Sequence, residues 1–186
     1  MESFIGSLDT DIMAGSQDFA NSFLPQQPIN SFMFQKLTQC ESINLVTNPH
    51  RFTMAQGLEF LGISGQAVHD MQLFCKMRDQ SPLACMKMLL EIRHLCPSAP
   101  DTLRAHPFRD FDPFIIPTQG PDVFFSGCQS QYQEQVILQD SKFKNTAVKL
   151  ISVPTFALTK SIVLMDLQTL QSYELKFDQP CEKMEE

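Results

Sequence analysis

The spacing of apolar residues changes along this chain, and the changes divide it. In residues 1–35, Phe4, Leu8 and Ile12 recur at i, i+4 and i+8; Phe19 and Phe23 repeat the interval, and Leu24-Pro25 then stops the turn. These residues make stripes on short helical turns, set among Ser, Asp, Asn, Gln and Pro. Acidic, aromatic segments of this kind commonly order only on a partner. The pattern predicts a flexible docking segment over 1–35, with Phe4, Leu8, Phe19, Phe23 and Leu24 as its protein contacts. Packing of these aromatics back onto the domain is the competing arrangement.

Residues 36–178 read as a single α+β domain whose N-terminal half is helical, with three short helices over 53–96. Thr53 with Gln56 matches a capping box, and Gly62 stands where a C-cap glycine would. Ser64 can cap a second helix running to about Arg78. Ser81-Pro82 gives an N-cap followed by proline at the first helical position, and that helix runs to Leu95 before Pro97 ends it. Along it Cys85, Leu89, Ile92 and Cys96 form one apolar stripe. The short link between the last two helices predicts an antiparallel pair.

Six prolines lie in 97–121 together with Phe108, Phe111, Phe114, Ile115 and Ile116. An inert linker has no use for five large apolar groups, so this stretch reads as an ordered strap across the core. Residues 122–178 are β-rich and predict a small antiparallel sheet. Gln135–Leu138, Ala147–Val153, Ser161–Leu167 and Tyr173–Phe177 are its strands, the last two a hairpin. Ile162, Leu164 and Asp166 face one way, and Val163, Met165 and Leu167 the other. The strand at 161–167 is apolar on both faces and so is expected in the middle of the sheet. Ser161 to Thr169 resembles an outer hairpin of a WD-repeat propeller blade, with Met165 at the usual tryptophan. No repeat at about 40-residue spacing accompanies it, so no family follows. Residues 179–186, with Glu182, Glu185 and Glu186, read as an acidic solvated tail.

Composition adds few constraints. The chain has 186 residues, of which 43% are hydrophobic, with 16 Phe, 10 Met and no Trp, which suits an adaptable core. Net charge is −7; blocks 1–50 and 97–140 carry −4 each, 51–96 carries +1 and 141–186 is neutral. No block is strongly basic, which speaks against phosphate-backbone contact and against nucleic acid as a partner. No apolar run is long enough for a bilayer, so no membrane is expected. Glu2 stands where a signal peptide needs positive charge. The six cysteines therefore read as reduced thiols of an intracellular, cytoplasmic or nuclear protein.

Candidate chemistry is sparse. Leu61-Gly-Ile-Ser64-Gly-Gln-Ala-Val68 fits a helix-turn-helix, although only Gln66 could read a base. Cys75, Cys85, His94 and Cys96 lack the close pairing of a zinc knuckle, so buried structural thiols are expected and no metal. Cys128, after Ser126-Gly127, is the most exposed-looking thiol, with His106 a conceivable base. Asp110 and Asp112 are two apart and point opposite ways on an extended strap, which suits a turn at Asp112-Pro113 better than a catalytic pair. The reading is a non-enzymatic protein-interaction or regulatory adaptor protein that needs no cofactor. A helix-turn-helix DNA-binding regulator and a cysteine-dependent enzyme using Cys128 or Cys75 are the alternatives. An edge strand near Gln171 or Gln179 could also pair with another chain, as a homo- or hetero-oligomer.

Overall fold

The computed structural model describes residues 8–34, 42–54, 57–76, 78–138 and 147–177. Near the start, β1 (Thr10–Met13) pairs in parallel with β2 (Ile43–Val46) as a small separate sheet. The centre is a five-stranded mixed sheet, in the order β3-β4-β5-β7-β6, built from β3 (His50–Thr53), β4 (Glu59–Ile63), β5 (Val123–Gln129), β6 (Gln133–Leu138) and β7 (Ala147–Pro154). The inner strands β4, β5 and β7 are parallel, while β3 and β6 flank them antiparallel. Parallel neighbours need a crossover. Here α1 (Gln66–Phe74), α2 (Pro82–Ile92) and the proline-rich segment supply it between β4 and β5.

The parallel strands bury side chains on both faces. Leu61, Ile63, Phe124, Val148 and Leu150 join Val68, Met71, Met86, Leu89 and Leu90 of the helices in the main core. Phe60, Val123 and Ile151 point the other way and are covered by Val163, Met165 and Leu167. That second cover comes from a separate two-stranded sheet, β8 (Ser161–Met165) with β9 (Ser172–Lys176), which follows the short α3 (Phe156–Thr159). Each fully buried Leu, Met or Phe contributes roughly 1.5–3 kcal/mol, so these layers carry most of the stability.

Polar contacts fasten the layers. The Lys149 ammonium, buried on β7, donates to the Leu170 carbonyl at 2.5 Å and lies 2.8 Å from the Glu134 carboxylate. Ser172 also donates to Glu134, and Tyr132 Oη donates to the Ser172 carbonyl at 3.0 Å. Burial pushes the Glu134 carboxyl up, but hydrogen bonds from Lys149, Ser172 and Tyr132 and the lysine charge more than offset it, leaving the pKa lowered.

The proline-rich strap is tied at both ends of its path. Phe114 and Ile116 are buried in the main core, and Arg93 donates from Nε and Nη2 to the Ile116 carbonyl at 3.2 and 3.1 Å. His94 Nε2 meets Asp112 at 2.9 Å. Burial raises the Asp112 carboxyl, while the Phe114 N–H and His94 bring it below its ordinary value.

The layout differs from the expectation of a helical N-terminal half and a small antiparallel sheet. Two helices lie within 53–96, not three, and 59–63 is strand β4 rather than the end of a helix. Leu58 to Ile63 is a short apolar run bounded by glycines, a pattern that suits a fully buried strand as well as a helix. Gln56 of the supposed capping box lies outside the described residues, and Thr53 ends β3. Gly62 is not a cap: it pairs with Phe125 across the ladder, and a Cβ on it would stand 2.3 Å from the Phe125 ring. The cap before α1 is Gly65 (φ 102), not Ser64, and α1 ends at Phe74. Without a first helix there is no helix-turn-helix, and that alternative falls. The sheet is mixed because β4 connects to its parallel neighbour β5 through helices, and β5 connects to its parallel neighbour β7 through the antiparallel edge strand β6. Strand β8 is not in its middle; among the described residues it pairs with β9 in a separate two-stranded sheet.

Two elements lie where the pattern puts them. Ser81 Oγ accepts the Ala84 N–H at 3.3 Å, Pro82 opens α2, and Arg93 in the left-handed region (φ 57) closes it. The hairpin pairs Ile162 with Leu175 and Leu164 with Tyr173, and Asp166 accepts from Gln168 N and Thr169 Oγ1 at its turn.

Gly62→Ala should test the close packing of β4 on β5. The added methyl must displace the Phe125 ring, an overpacking cost of about 2 kcal/mol that lowers the thermal midpoint by about 5 °C. Differential scanning calorimetry measures it, and an unchanged midpoint would refute the pairing of Gly62 with Phe125.

Candidate functional site: a neutral polar cluster at the carboxyl ends of the parallel strands

In open sheets with parallel strands, ligands bind outside the carboxyl ends of those strands. Here Ser64-Gly65 follow the end of β4, and Gly127-Cys128 form the irregular last part of β5, with a register shift between Ser126 and Gln129. The two loops touch. A Cβ on Gly65 would stand 2.3 Å from the Gly127 carbonyl oxygen and 2.7 Å from Gln129 Nε2, so no side chain fits there.

Asn48, buried between Thr47 and Pro49, is the hub. Its Nδ2 donates to Gln26 Oε1 at 2.7 Å, to Ser64 Oγ at 2.6 Å and towards Gln66 Oε1 at 3.1 Å. Its Oδ1 accepts the Ser64 N–H at 3.2 Å. Gln66 Nε2 donates to Gln26 Oε1 at 2.8 Å, and Gln26 Nε2 donates to the Gly15 and Asn21 carbonyls at 3.1 and 3.0 Å. Beside it, Gln129 Nε2 donates to Ser126 Oγ at 3.0 Å and to the Gly127 carbonyl at 2.8 Å. Every member is an amide, a hydroxyl or a backbone group. Such groups orient a loop but neither take up nor release protons in the ordinary pH range. The cluster fastens the segment around Gly15–Gln26 across the crest of the sheet.

Asp18, which accepts the Gly15 N–H at 2.7 Å, and Cys128 lie beside the cluster, and other ionisable groups lie further away. His50 Nε2 meets Asp11 at 3.1 Å, and His106 lies against Asn21 Nδ2 at 3.5 Å. Among the described residues, no group of three His, Cys, Asp or Glu side chains converges as a metal site would need. Cys85 and Cys96 are buried in the main core, and burial pushes the Cys96 thiol up to about 12. Cys128 is exposed in the left-handed region (φ 53), and burial of its sulfur followed by the Asp18 charge raises its thiol. A raised thiol is a poor thiolate nucleophile. Asp110 lines the wall of a groove, and Asp112 is engaged by His94 and Phe114.

The segment residues singled out from the sequence are spread over the surface and core. Phe4 lies outside the described residues, as do Cys40, Cys181 and the tail from 178 onwards. Leu8 is exposed, and Phe19 is 83% exposed. Leu24 is buried in the main core; its N–H donates to the Arg104 carbonyl and its own carbonyl accepts from His106 N. Phe23 stands 5.2 Å from the His106 ring, which continues through Phe108 to Phe111 as a line of ring contacts. His106, Phe108 and Phe111 border a cavity of about 520 Å³ walled by the strap.

A family model for the B-subunit of DNA polymerase alpha/epsilon matches residues 1–135, which hold the whole polar cluster and the strap. The chain belongs to that family. The DNA polymerase delta small subunit of Arabidopsis thaliana is 37% identical over 170 residues, covering 91% of this chain and 37% of the relative. DNA polymerase delta subunit 2 of Drosophila melanogaster is 36% identical over 181 residues, covering 97% and 40%. The Saccharomyces cerevisiae small subunit is 30% identical over 209 residues, covering 96% and 41%. The chain thus spans about two fifths of the length of these relatives. Membership in this family agrees with a protein that works within a complex, and with an intracellular placement. It overturns the expectation against nucleic acid, because the family is that of a DNA polymerase subunit. Charge summed in blocks reports only what one chain can hold by itself.

Sequence reasoning missed Gln26 and Asn48, and it assigned Gln66 to base reading rather than to this cluster. A β-rich run followed by Ser-Gly and then a helix is a legible signal for the crest of a parallel sheet, once 59–63 is taken as a strand.

Asn48→Ala should strand Gln26, Ser64 and Gln66 in a buried site and lower stability by about 3 kcal/mol. Chemical denaturation of the purified chain measures this; a loss under about 0.5 kcal/mol would mean the cluster holds nothing. Thiol labelling with an aromatic disulfide should modify Cys128 more slowly than free cysteine at pH 8, and Cys85 and Cys96 only after unfolding. Rapid labelling of Cys96 in the folded chain would contradict its burial.

Proposed function

We propose that this chain forms part of the small, accessory subunit of a DNA polymerase of the delta type, acting in the nucleus by holding other subunits rather than by catalysis. The observation that carries the reading is the neutral cluster at the crest of the sheet, where such folds take their ligands. Its polar groups are spent on one another and on the Gly15–Gln26 segment. The relatives' names supply the assembly, and DNA enters as what that assembly works on. Phe19 and Phe23, with Leu8 and Phe4 of the same segment, are proposed as partner contacts of this subunit. The exposed ring of Phe19 and the half-exposed ring of Phe23 support that choice.

Co-expression with the remaining delta subunits, followed by affinity purification and gel filtration, tests the proposal. The chain should elute in a stoichiometric complex. Phe19→Ala with Phe23→Ala should weaken retention about tenfold while leaving the thermal midpoint within about 2 °C of the parent. Elution of the parent chain alone would overturn the reading, and equal retention of the double variant would remove these two rings from the contact.

A further inference from the structure

The cavity under the strap, about 520 Å³, is of the size that holds a small ligand or an inserted side chain. Neither the crest cluster nor the subunit reading uses it. Its lining includes Cys96 and Phe114, both buried in the main core. It also includes the rings of His106, Phe108 and Phe111; Phe108 lies 6.4 Å from His106 and 5.2 Å from Phe111. Phe108 is 42% and Phe111 66% exposed, so both rings offer surface to a ligand. A ring face is negative and attracts cations, arginine above all.

The charges around the cavity point the same way. Asp110 and Asp112 line it with Arg109, so with the histidines neutral the lining is net negative. Asp112 is engaged by the His94 ring and the Phe114 N–H. Among the described residues, neither Asp110 nor Arg109 has a side-chain ion pair or hydrogen bond. The Cys96 thiol is pushed up to about 12 by burial first, and then by Asp112 and Asp70, both negative. Asp70 is held by the hydroxyls of Ser98 and Thr102 rather than by a cation. The field in the cavity therefore favours positive charge.

We propose that this cavity receives an arginine side chain of a partner protein, its guanidinium plane against Phe108 and Phe111 and its N–H fork on Asp110. A planar guanidinium uses both features at once, stacking on rings and pairing with a carboxylate, whereas an ammonium supplies charge without the plane. One arginine does not fill the space, so an apolar neighbour of the arginine packs on the exposed part of Phe111. The site is additional to the contacts proposed for Phe19 and Phe23, and it does not require the delta assignment.

The test is a fluorescence-anisotropy titration of the full chain with a short labelled peptide carrying arginine beside leucine. Binding should be saturable. It should weaken at least tenfold when citrulline, the neutral analogue, replaces the arginine, and several-fold when lysine does. Asp110→Asn and Phe111→Ala should each weaken it several-fold. Both side chains are exposed, so these variants should keep the thermal midpoint within about 2 °C of the parent. Arg109→Gln removes the competing cation and should tighten binding. No saturable binding, equal binding of the citrulline peptide, or no loss in either Asp110→Asn or Phe111→Ala overturns the proposal. So does preferential binding of a glutamate peptide that Arg109→Gln abolishes, because the site is then one for anions. Equal affinity for free arginine amide overturns the assignment to a partner protein. The titration needs no other subunit, so its outcome and that of the co-purification are read separately.

Discussion

The constraint on which this molecule depends is that β4, β5 and β7 bury both of their faces. A parallel ladder exists only where crossovers lay cover over it, and strands buried on both sides need cover on both. The helices and the strap cover Leu61, Ile63, Phe124 and Leu150. Nothing in the crossover reaches Phe60, Val123 and Ile151, so the chain spends a separate hairpin on them. Such a hairpin is marginal alone. Its hold on the sheet therefore combines the apolar contacts of Val163 and Met165 with the Lys149–Glu134–Ser172 contacts.

The same constraint shapes the crest. Strand ends converge there, and the Gly65–Gly127 approach brings two loops into contact with no room for a side chain between them. Buried polar groups at such a place must be paired, and Asn48 pairs them: it satisfies Gln26, Ser64 and Gln66 at once. The ionisable groups are distributed instead as single ties. His50 and Asp11 join β1 to β3, His94 and Asp112 hold the strap, and Lys149 and Glu134 hold the hairpin. Charges fasten the straps, while the hydrogen-bonded cluster around Asn48 is built from neutral groups.

What was legible in the sequence was local. Ser81-Pro82 announced α2 because capping is a matter of neighbouring residues, and the alternation in 161–177 announced the hairpin faces for the same reason. What was not legible depended on distant partners. Residues 59–63 carry no periodicity that separates a buried strand from a helix, and the decision rests on Phe124 and Phe125, more than sixty residues away. Gly62 looked like a cap because glycine often is one; here the missing side chain makes room for a ring on the neighbouring strand. The polar cluster was hidden more completely. Gln26 and Asn48 carry no motif, Gln66 suggested a different one, and only the fold brings the three within hydrogen-bond reach. The charge count failed for another reason: it measures one chain, whereas the family is named for one part of a polymerase assembly.

The hairpin's outer face follows from the same logic. Val163, Met165 and Leu167 close the second core, whereas Leu164, Tyr173 and Leu175 on the outer face are about half exposed among the described residues. Polar residues at those positions would keep the ladder hydrogen bonds and the inner packing, and would lower the risk of association that an exposed apolar ribbon carries.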